Sequence, residues 1–281
     1  MVYSNNPKIK NKLSVSPDSN QRFKGKVVLI TGGTSGIGKT ITECFLKEGA
    51  KVVITGRDVI RGLKTAKTLD QSGKRVRFIS SNISKAEDVK KQTMETISLF
   101  GRIDVLVSGA GINVIGKLTQ TSESAWDEVM DINVKGQFLS IKEAYPYLKK
   151  TKGAVITISS DVALPNRGSV TIPAYSISKS AVSQMTRMFA AEFAKDGVRV
   201  NAVSPANIIP GMLHNLDLSD PKKPTWRKED LCGPDWVLPP FGRFGFSKEV
   251  ASVVLFLASQ EASYVTGAEV LVDGALNAAQ A

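Results

Sequence analysis

The sequence predicts an α/β fold in which helices cover both faces of one parallel β-sheet. Short apolar runs alternate along the chain with segments whose apolar residues have helical spacing. Runs such as VVLI, VVIT and VITI are apolar at consecutive positions, not at alternate ones. A strand with that pattern is buried on both faces, which is typical of a parallel sheet packed between helices. No long linker interrupts residues 24–276, so we expect a single domain.

Seven strands and six intervening helices follow from this alternation. The strands are predicted at 26–31, 51–55, 75–80, 104–107, 154–159, 199–203 and 270–272. The helices are predicted to begin near Ile37, Asp58, Lys85, Ser122, Pro173 and Lys248. Residues 1–22 are rich in Ser, Asn, Pro and Lys and show no apolar periodicity. We expect a disordered basic arm there, followed by the folded domain over residues 23–281.

Net charge is the first clue to a partner. The chain has 281 residues with 37 basic and 26 acidic side chains, which gives a formal net charge of +11. Six of the basic residues lie in the first 26 positions, and the others form no stripe interleaved with aromatic residues. A solvated arm, or a ligand that carries phosphates, therefore explains the charge better than nucleic-acid binding does.

Cysteine, histidine and hydropathy patterns argue against metal sites and membrane insertion. Cys44 and Cys232 are far apart, which excludes a disulfide scaffold or a CxxC site and favours a reducing compartment. His214 is the only histidine, so we expect no bound metal. No apolar run reaches about 18 residues, and the start of the chain lacks the apolar region of a secretory signal. We expect a cytoplasmic protein without a membrane partner.

A glycine-rich turn, TGGTSGIG, follows the first predicted strand and leads into the first predicted helix. Glycine permits backbone angles closed to other residues, and without side chains a diphosphate can approach the main chain closely. The helix N-terminus adds free N–H groups and a partial positive charge. Although an ordinary glycine turn is the alternative, this context predicts a dinucleotide site. The residues expected to form it are Gly32, Thr34, Ser35, Gly36, Ile37 and Gly38.

The end of the second strand indicates which dinucleotide is bound. An acidic residue there would bind the ribose hydroxyls of NAD, whereas a basic one would pair with the additional phosphate of NADP. The sequence has Arg57 followed by Asp58. Arg57 favours NADP(H) over NAD(H), although Asp58 could bind the ribose if the turn is shifted by one residue.

Tyr175 and Lys179 are the candidate reacting pair. They are four residues apart at the start of a predicted helix, so their side chains share one face within about 5–6 Å. We expect the ammonium to lower the pKa of the phenol from about 10, so that the tyrosine exchanges a proton with a carbonyl or alcohol oxygen. Tyr145 and Lys149 have the same spacing, but no strand ending in serines precedes them. Because ligands collect at the carboxyl ends of parallel strands, context selects Tyr175.

Several motifs together resemble the short-chain dehydrogenase/reductase family over about 250 residues. They are TGGTSGIG, SGAG at 108–111, DINVKG around Asn133, ISS at 158–160, YSISK at 175–179 and the final segment from GRFGF to VLVDG. The resemblance implies a Rossmann-type, doubly wound, seven-stranded sheet with an NAD(P) site.

The resemblance also implies a role for each of four residues. Tyr175 would be the general acid/base, and Lys179 would depress its pKa and hold the nicotinamide ribose. Ser160 would hydrogen-bond the substrate oxygen, with Ser159 as the alternative partner. Asn133, in a kinked helix, would anchor a water that relays protons past Lys179, unless it is an internal cap. Ser160 precedes the tyrosine by fifteen residues, two more than is usual in the family. This difference indicates a two-residue insertion in the loop 161–174.

Some positions depart from the family pattern. Ser108 and Asn82 replace the usual Asn and Asp, and Ala206 follows Pro205 in place of glycine. Pro210 stands where a threonine often contacts the nicotinamide amide, so that contact would fall to the main chain of Ile208. The further residues expected to bind the cofactor are Asn82, Ile83, Ala110, Gly111, Pro205 and Ile208, together with Tyr175 and Lys179.

Residues 207–246 interrupt the alternation and are rich in Pro, Gly and aromatic residues. A segment of this length is expected to be a substrate lid, with Met212, Trp226 and Trp236 joining Ser160 and Tyr175 around the substrate. Packing between subunits is the alternative.

The resemblance and the reacting pair predict an NADP(H)-dependent oxidoreductase that interconverts a small-molecule ketone or aldehyde and an alcohol. The alternatives are an NAD-dependent alcohol or polyol dehydrogenase and a cofactor-binding regulator without turnover. Family members are often homotetramers, so a homotetramer, or else a homodimer, is expected.

Overall fold

A seven-stranded parallel sheet forms the centre of the molecule, as the sequence predicts. The structure, a computed structural model, describes residues 21–165, 167–209 and 239–280. The strands of this sheet are β1 Val27–Thr31, β2 Lys51–Gly56, β3 Val76–Ser80, β4 Val105–Ser108, β5 Ala154–Ile158, β6 Arg199–Pro205 and β9 Glu269–Val272. Their order is β3-β2-β1-β4-β5-β6-β9, and every neighbouring pair is parallel. The chain therefore winds outwards in both directions from β1, and the crossing point between β1 and β4 lies near the middle of the sheet.

Helices cover both faces of this sheet. They are α1 Gly36–Lys47, α2 Val59–Leu69, α3 Ala86–Phe100, α4 Glu123–Met130, α5 Gly136–Thr151, α6 Pro173–Phe193 and α7 Ser247–Ala258. Val28 and Ile30 of β1 pack in the core cluster that includes α1 and α7, whereas Leu29 packs in the cluster that includes α5 and α6. Consecutive apolar residues are thus buried on opposite faces, which is why the strands lack the alternation of a half-exposed sheet.

Two features of the fold are absent from the prediction. The helix expected to begin near Ser122 comprises α4, a π-helical segment at Asp131–Lys135, and α5. In addition, β7 Ile208–Ile209 pairs in parallel with β8 Gly245–Phe246. These two short strands lie at the ends of the predicted lid, so the two ends of that segment are held side by side.

Parts of two predictions lie outside the described residues. For the arm at 1–22, the structure begins at residue 21, and Arg22 pairs there with Glu48 (2.6 Å) and Glu261 (2.9 Å). For the lid at 207–246, it leaves out 210–238, which contain Met212, Trp226 and Trp236 as well as Pro210, His214 and Cys232. Over the residues that it does describe, no helix has the length and hydropathy to span a membrane, and no cluster of three potential metal ligands occurs.

Candidate active site

A cleft runs along the carboxyl ends of β1, β2, β4, β5 and β6, and it collects the predicted cofactor residues. This position follows from the topology, because the connections that leave β1 and β4 diverge and open a crevice between them. Every residue predicted to bind the cofactor lines the cleft: Gly32, Thr34, Ser35, Gly36, Ile37, Gly38, Arg57, Asn82, Ile83, Ala110, Gly111, Tyr175, Lys179, Pro205 and Ile208. Ser160 lines it as well, whereas Asn133 lies behind it.

The glycine turn has the shape that a diphosphate requires. Gly32 has φ +75°, and a Cβ atom there would lie 2.9 Å from Cα of Ala110, so only glycine fits. Ser35 precedes α1 and lines the cleft, but its side chain makes no capping hydrogen bond with the described residues. The first N–H groups of α1 therefore keep their capacity to bind an anion. This cradle fits the diphosphate of a nicotinamide dinucleotide.

Arg57 and Asp58 have different surroundings. Arg57 lines the cleft and lies 3.7 Å from Glu128 of α4, with both side chains more than half exposed. Asp58 instead caps α2, where it accepts a hydrogen bond from N–H of Arg61 (2.9 Å) and pairs with the Arg61 guanidinium. That N–H bond contributes most to holding the pKa of Asp58 below its ordinary value. The carboxylate is thus occupied away from the cleft, and among the described residues that line this end of it, Arg57 is the charged one.

Tyr175 and Lys179 are brought together as their spacing predicts. They lie at the start of α6, and Nζ of Lys179 is 5.4 Å from the centre of the Tyr175 ring. Lys179 is almost fully buried, and its ammonium donates a hydrogen bond to the carbonyl oxygen of Ile158 (2.7 Å). The lysine is therefore anchored to the end of β5 and crosses the face of the phenol.

The direction predicted for the pKa of Tyr175 is wrong. Removal of the phenol from water raises this pKa to about 12; a hydrogen bond with Ser160 opposes the rise, and the charge of Asp161 adds to it. Burial also lowers the pKa of Lys179 to about 8. Loss of hydration outweighs the attraction expected between the two side chains. At neutral pH, Tyr175 therefore carries its proton.

The two serines after β5 point in different directions. Ser159 is buried, donates to the carbonyl oxygen of Lys179 (3.0 Å) and hydrogen-bonds Ser183 (2.8 Å), so it ties the strand to α6. Ser160 instead contacts Tyr175 and donates to Asp161 (3.2 Å). Of the two alternatives, Ser160 is the serine beside the phenol.

Asn133 makes a full set of internal hydrogen bonds from the π-helical segment. Its Oδ1 accepts from N–H of Ile112 (2.8 Å), and its Nδ2 donates to O of Ile112 (2.8 Å) and to Oγ of Ser178 (2.9 Å). The side chain fastens the loop after β4 to α6. A Cβ atom on Gly111 would lie 3.2 Å from Oδ1 of Asn133 and 3.5 Å from Nζ of Lys179, so this fastening adjoins the lysine.

Two pairs of polar side chains that line the cleft were among the residues that the sequence reasoning missed. Asp161 and Arg167 form a well-shielded ion pair of 2.9 Å beside Ser160. Thr55 and Ser81, at the ends of β2 and β3, have buried hydroxyls that make no hydrogen bond within the described residues. An acidic residue directly after ISS and an arginine in the loop with the apparent insertion were the available signals for the first pair. For the two hydroxyls, no signal was present.

Comparisons with known proteins agree with this site. A family model described as enoyl-(acyl carrier protein) reductase matches residues 32–277. An uncharacterized oxidoreductase of Thermotoga maritima is 38% identical over 90% of this chain and 97% of its own length. The L-fucose dehydrogenase of Bos taurus is 37% identical over 90% of each chain. The crystal structure of a short-chain dehydrogenase/reductase, a glucose/ribitol dehydrogenase from Brucella melitensis, superposes with a TM-score of 0.78 at 32% identity, covering 92% of this chain and 98% of that one.

Proposed function

Because the chain belongs to the short-chain dehydrogenase/reductase family and is an oxidoreductase that uses a nicotinamide cofactor, we propose that it uses NADP(H) to interconvert a carbonyl compound and an alcohol, with Tyr175 as the proton donor and acceptor. The observation that carries this proposal is the position of Tyr175. It lies beside Ser160 in the same cleft as the glycine turn. A reacting oxygen and a dinucleotide can therefore share one crevice.

The chain's residues divide the work of binding. The turn from Gly32 to Gly38 would hold the diphosphate, Arg57 the phosphate that distinguishes NADP, Lys179 the nicotinamide ribose, and the main chain of Ile208 the carboxamide. When bound, the nicotinamide supplies or accepts the hydride. Thr55 and Ser81 offer two further hydroxyls to the cofactor or to ordered water.

The proton chemistry depends on Tyr175 and Ser160. With a pKa of about 12 the phenol is protonated at neutral pH, which is the form that donates a proton to a carbonyl oxygen during reduction. Ser160 lies beside it and can hydrogen-bond the same oxygen as charge develops there. The ammonium of Lys179 is fixed by its hydrogen bond to the carbonyl oxygen of Ile158 and lies over the ring of Tyr175. Oxidation of an alcohol reverses these steps and requires the phenol to lose its proton first.

The contrast between Arg57 and Asp58 supports the proposed selection of NADP(H). Arg57 lines the cleft and can form charge-assisted hydrogen bonds with a phosphate, whereas Asp58 caps α2. Glu128 competes weakly for Arg57 from 3.7 Å at an exposed position. The dissociation constants of NADPH and NADH, measured by quenching of tryptophan fluorescence, test this choice. Tighter binding of NADPH supports it, and equal or tighter binding of NADH contradicts it.

The reaction itself is tested by a panel of ketones, aldehydes and alcohols while the absorbance of the reduced nicotinamide is followed. We expect turnover of at least one pair, and its loss in Tyr175→Phe with cofactor binding retained. Turnover close to that of the unchanged protein in this variant would end the assignment.

Association of subunits is the remaining part of the proposal. Exposed apolar side chains lie on α5, which directly follows the segment with Asn133, and on α6, which carries Tyr175. They are Phe138 (41% exposed), Ile177 (41%) and Met188 (61%). Such a group of side chains is typical of a surface between subunits. We expect a homotetramer, or a homodimer that uses this face, and light scattering on the eluting protein distinguishes them from a monomer.

A further inference from the structure

A charged pair of side chains lies directly beside the proposed reacting groups. Asp161 follows Ser160 at the end of β5 and is only 6% exposed. Its Oδ1 accepts a hydrogen bond from Oγ of Ser160 (3.2 Å), and its Oδ2 accepts one from the guanidinium of Arg167 (2.9 Å). Both residues of the pair line the cleft.

A carboxylate in this position needs an explanation, because burial of a charge is unfavourable unless the charge is paired. Burial raises the pKa of Asp161, and Arg167 opposes that rise. Arg167 therefore favours the ionised form of the carboxylate. A pair that only fastened the loop would not need to touch the serine that contacts the phenol.

Ser160 connects the ion pair with Tyr175. A serine hydroxyl has one proton, and a carboxylate only accepts, so Ser160 gives its proton to Asp161. Ser160 also hydrogen-bonds Tyr175, and this bond acts to lower the pKa of the phenol. Tyr175, Ser160, Asp161 and Arg167 thus form one continuous polar chain that ends in the guanidinium.

We propose that Asp161 and Arg167 are positioning residues of this active site: Asp161 orients the hydroxyl of Ser160 and places a negative charge beside Tyr175, and Arg167 limits the strength of that charge. This inference rests on the proposed function and deepens it. The charge of Asp161 adds to the burial that keeps the phenol protonated, and the protonated phenol is the form that donates a proton to a carbonyl. Ser160 must turn its hydroxyl from Asp161 towards the substrate oxygen when the carbonyl is bound.

The other charged groups around Tyr175 are on α6 itself and on neighbouring elements. Lys179 lies on α6 itself and is held by Ile158. In the π-helical segment packed against α6, Lys135 and Asp131 pair with each other at exposed positions (3.2 Å). On α4, Glu128 pairs with Arg57. Of these groups and the pair, Asp161 is the one whose charge acts to raise the pKa of Tyr175.

Opposite shifts in a pH profile test the proposal. In Asp161→Asn, which keeps the shape of the side chain, the carboxylate charge is gone and the phenolate forms more easily. The rise of kcat/KM for alcohol oxidation should then move to lower pH. In Arg167→Gln a carboxylate that stays ionised at the alkaline pH of this rise loses its partner, so the rise should move to higher pH. Arg167→Lys keeps the positive charge and should remain near the unchanged protein.

The double variant Asp161→Asn/Arg167→Gln separates this mechanism from loss of structure. If Arg167 acts through Asp161, its replacement should add no further shift once the carboxylate is absent. Equal profiles in Asp161→Asn and the unchanged protein would overturn the proposal. Shifts of the same sign in both single variants would do so too. If Asp161→Asn fails to fold, Arg167→Gln compared with Arg167→Lys still tests the predicted direction.

A second readout keeps this inference distinct from the proposed function. The ultraviolet absorbance of phenolate is measured after a rapid pH jump in the unchanged protein and in Asp161→Asn. The absorbance of the same protein carrying Tyr175→Phe is subtracted in each case, which leaves the signal of Tyr175. Ionisation should begin at lower pH in Asp161→Asn. If that shift is seen and no alcohol or ketone is turned over, the proposed function fails while the effect of the pair on Tyr175 stands. If turnover is normal and Tyr175 ionises at the same pH in Asp161→Asn as in the unchanged protein, the proposed role of the pair is contradicted while the proposed function stands.

Discussion

The same Tyr-x-x-x-Lys spacing occurs twice in this chain, in two different surroundings. Tyr145 and Lys149 lie on α5, where both bind the carboxylate of Asp196: the phenol donates to it, and Nζ of Lys149 is 2.8 Å from it. The ring of Tyr145 stacks on Phe193, with ring centres 3.9 Å apart. In the other copy, Tyr175 faces the cleft next to Ser160, and Lys179 is buried and bound to a backbone carbonyl.

The difference between the copies is one of surroundings and not of spacing. Both tyrosines have a raised pKa, but the hydrogen bond to Asp196 is the main cause for Tyr145, whereas removal from water is the main cause for Tyr175. The two lysines shift in opposite directions, since Asp196 raises the pKa of Lys149 and burial lowers that of Lys179. A spacing of four places two side chains on one helix face; the end of β5 is what gives one pair access to a ligand.

The largest expected effect compares the two tyrosines directly. Tyr175→Phe removes the proposed proton donor and should lower kcat by about 10²- to 10⁴-fold. Tyr145→Phe removes only a surface hydrogen bond and should leave kcat nearly unchanged. Steady-state assays of both variants, with NADPH binding measured in parallel, check this. Similar losses in the two variants would remove the distinction between the copies.

The second effect compares two arginines, Arg57 in the cleft and Arg61 at the surface. Arg57→Ala should weaken NADPH binding about ten- to hundredfold, because a charge-assisted hydrogen bond to a phosphate is lost, and NADH binding should barely change. Arg61, which pairs with Asp58 on α2, provides the matched control. Titration of each variant with both cofactors gives the ratio. An unchanged preference in Arg57→Ala would mean that other groups read the phosphate.

The third effect compares the two lysines through the pH dependence of stability. The pKa of Lys179 falls from 10.5 to about 8 on folding, so between these values the unfolded chain binds a proton that the folded chain lacks. The contribution of Lys179 to the free energy of unfolding should therefore increase with pH over this range, by roughly 2 kcal/mol. Lys149, whose pKa is raised, contributes stability that is lost as pH rises through its folded value.

Urea unfolding of Lys179→Met and Lys149→Met between about pH 8 and 10 measures these contributions. Relative to the unchanged protein, Lys179→Met should lose the rise in stability with pH. If both variants follow the same pH dependence, the burial assigned to Lys179 is contradicted.

The smallest effect uses two glycines with the same backbone angle. Gly25 and Gly32 both have φ +75°, so alanine at either position should cost about 1 kcal/mol of strain. Only at Gly32 would the new Cβ also meet the backbone of Ala110, 2.9 Å away, in the cleft. Gly32→Ala should thus lose NADPH affinity as well as stability, whereas Gly25→Ala should lose only stability. Thermal unfolding with and without NADPH separates the two.

Most of the fold could be predicted from the sequence, because strands buried on both faces are continuous apolar runs. The strand bounds agree within about two residues, as for β6, where the prediction stops at Val203 and the strand continues to Pro205. The π-helical segment at Asp131–Lys135 could not be predicted, since the helical pattern passes through it. Nor could β7 and β8, since two-residue strands have no periodicity.

The cleft residues could be predicted because each belongs to a motif placed at a strand end. The direction of the pKa of Tyr175 could not, because it depends on how much water surrounds the phenol. The Asp161–Arg167 pair was missed because the sequence shows an acidic residue after ISS and an arginine in the following loop, but not that the two side chains meet.

The central claim is that the phenol of Tyr175 faces the reactive ring of the dinucleotide in one cleft. A crystal structure of the complex with NADPH measures this directly. We expect the diphosphate on the turn at Gly32 and the phenol oxygen of Tyr175 on the same side as C4 of the nicotinamide, close enough for one carbonyl group to contact both. A nicotinamide bound elsewhere, or a Tyr175 hydroxyl turned away from C4, would contradict the account.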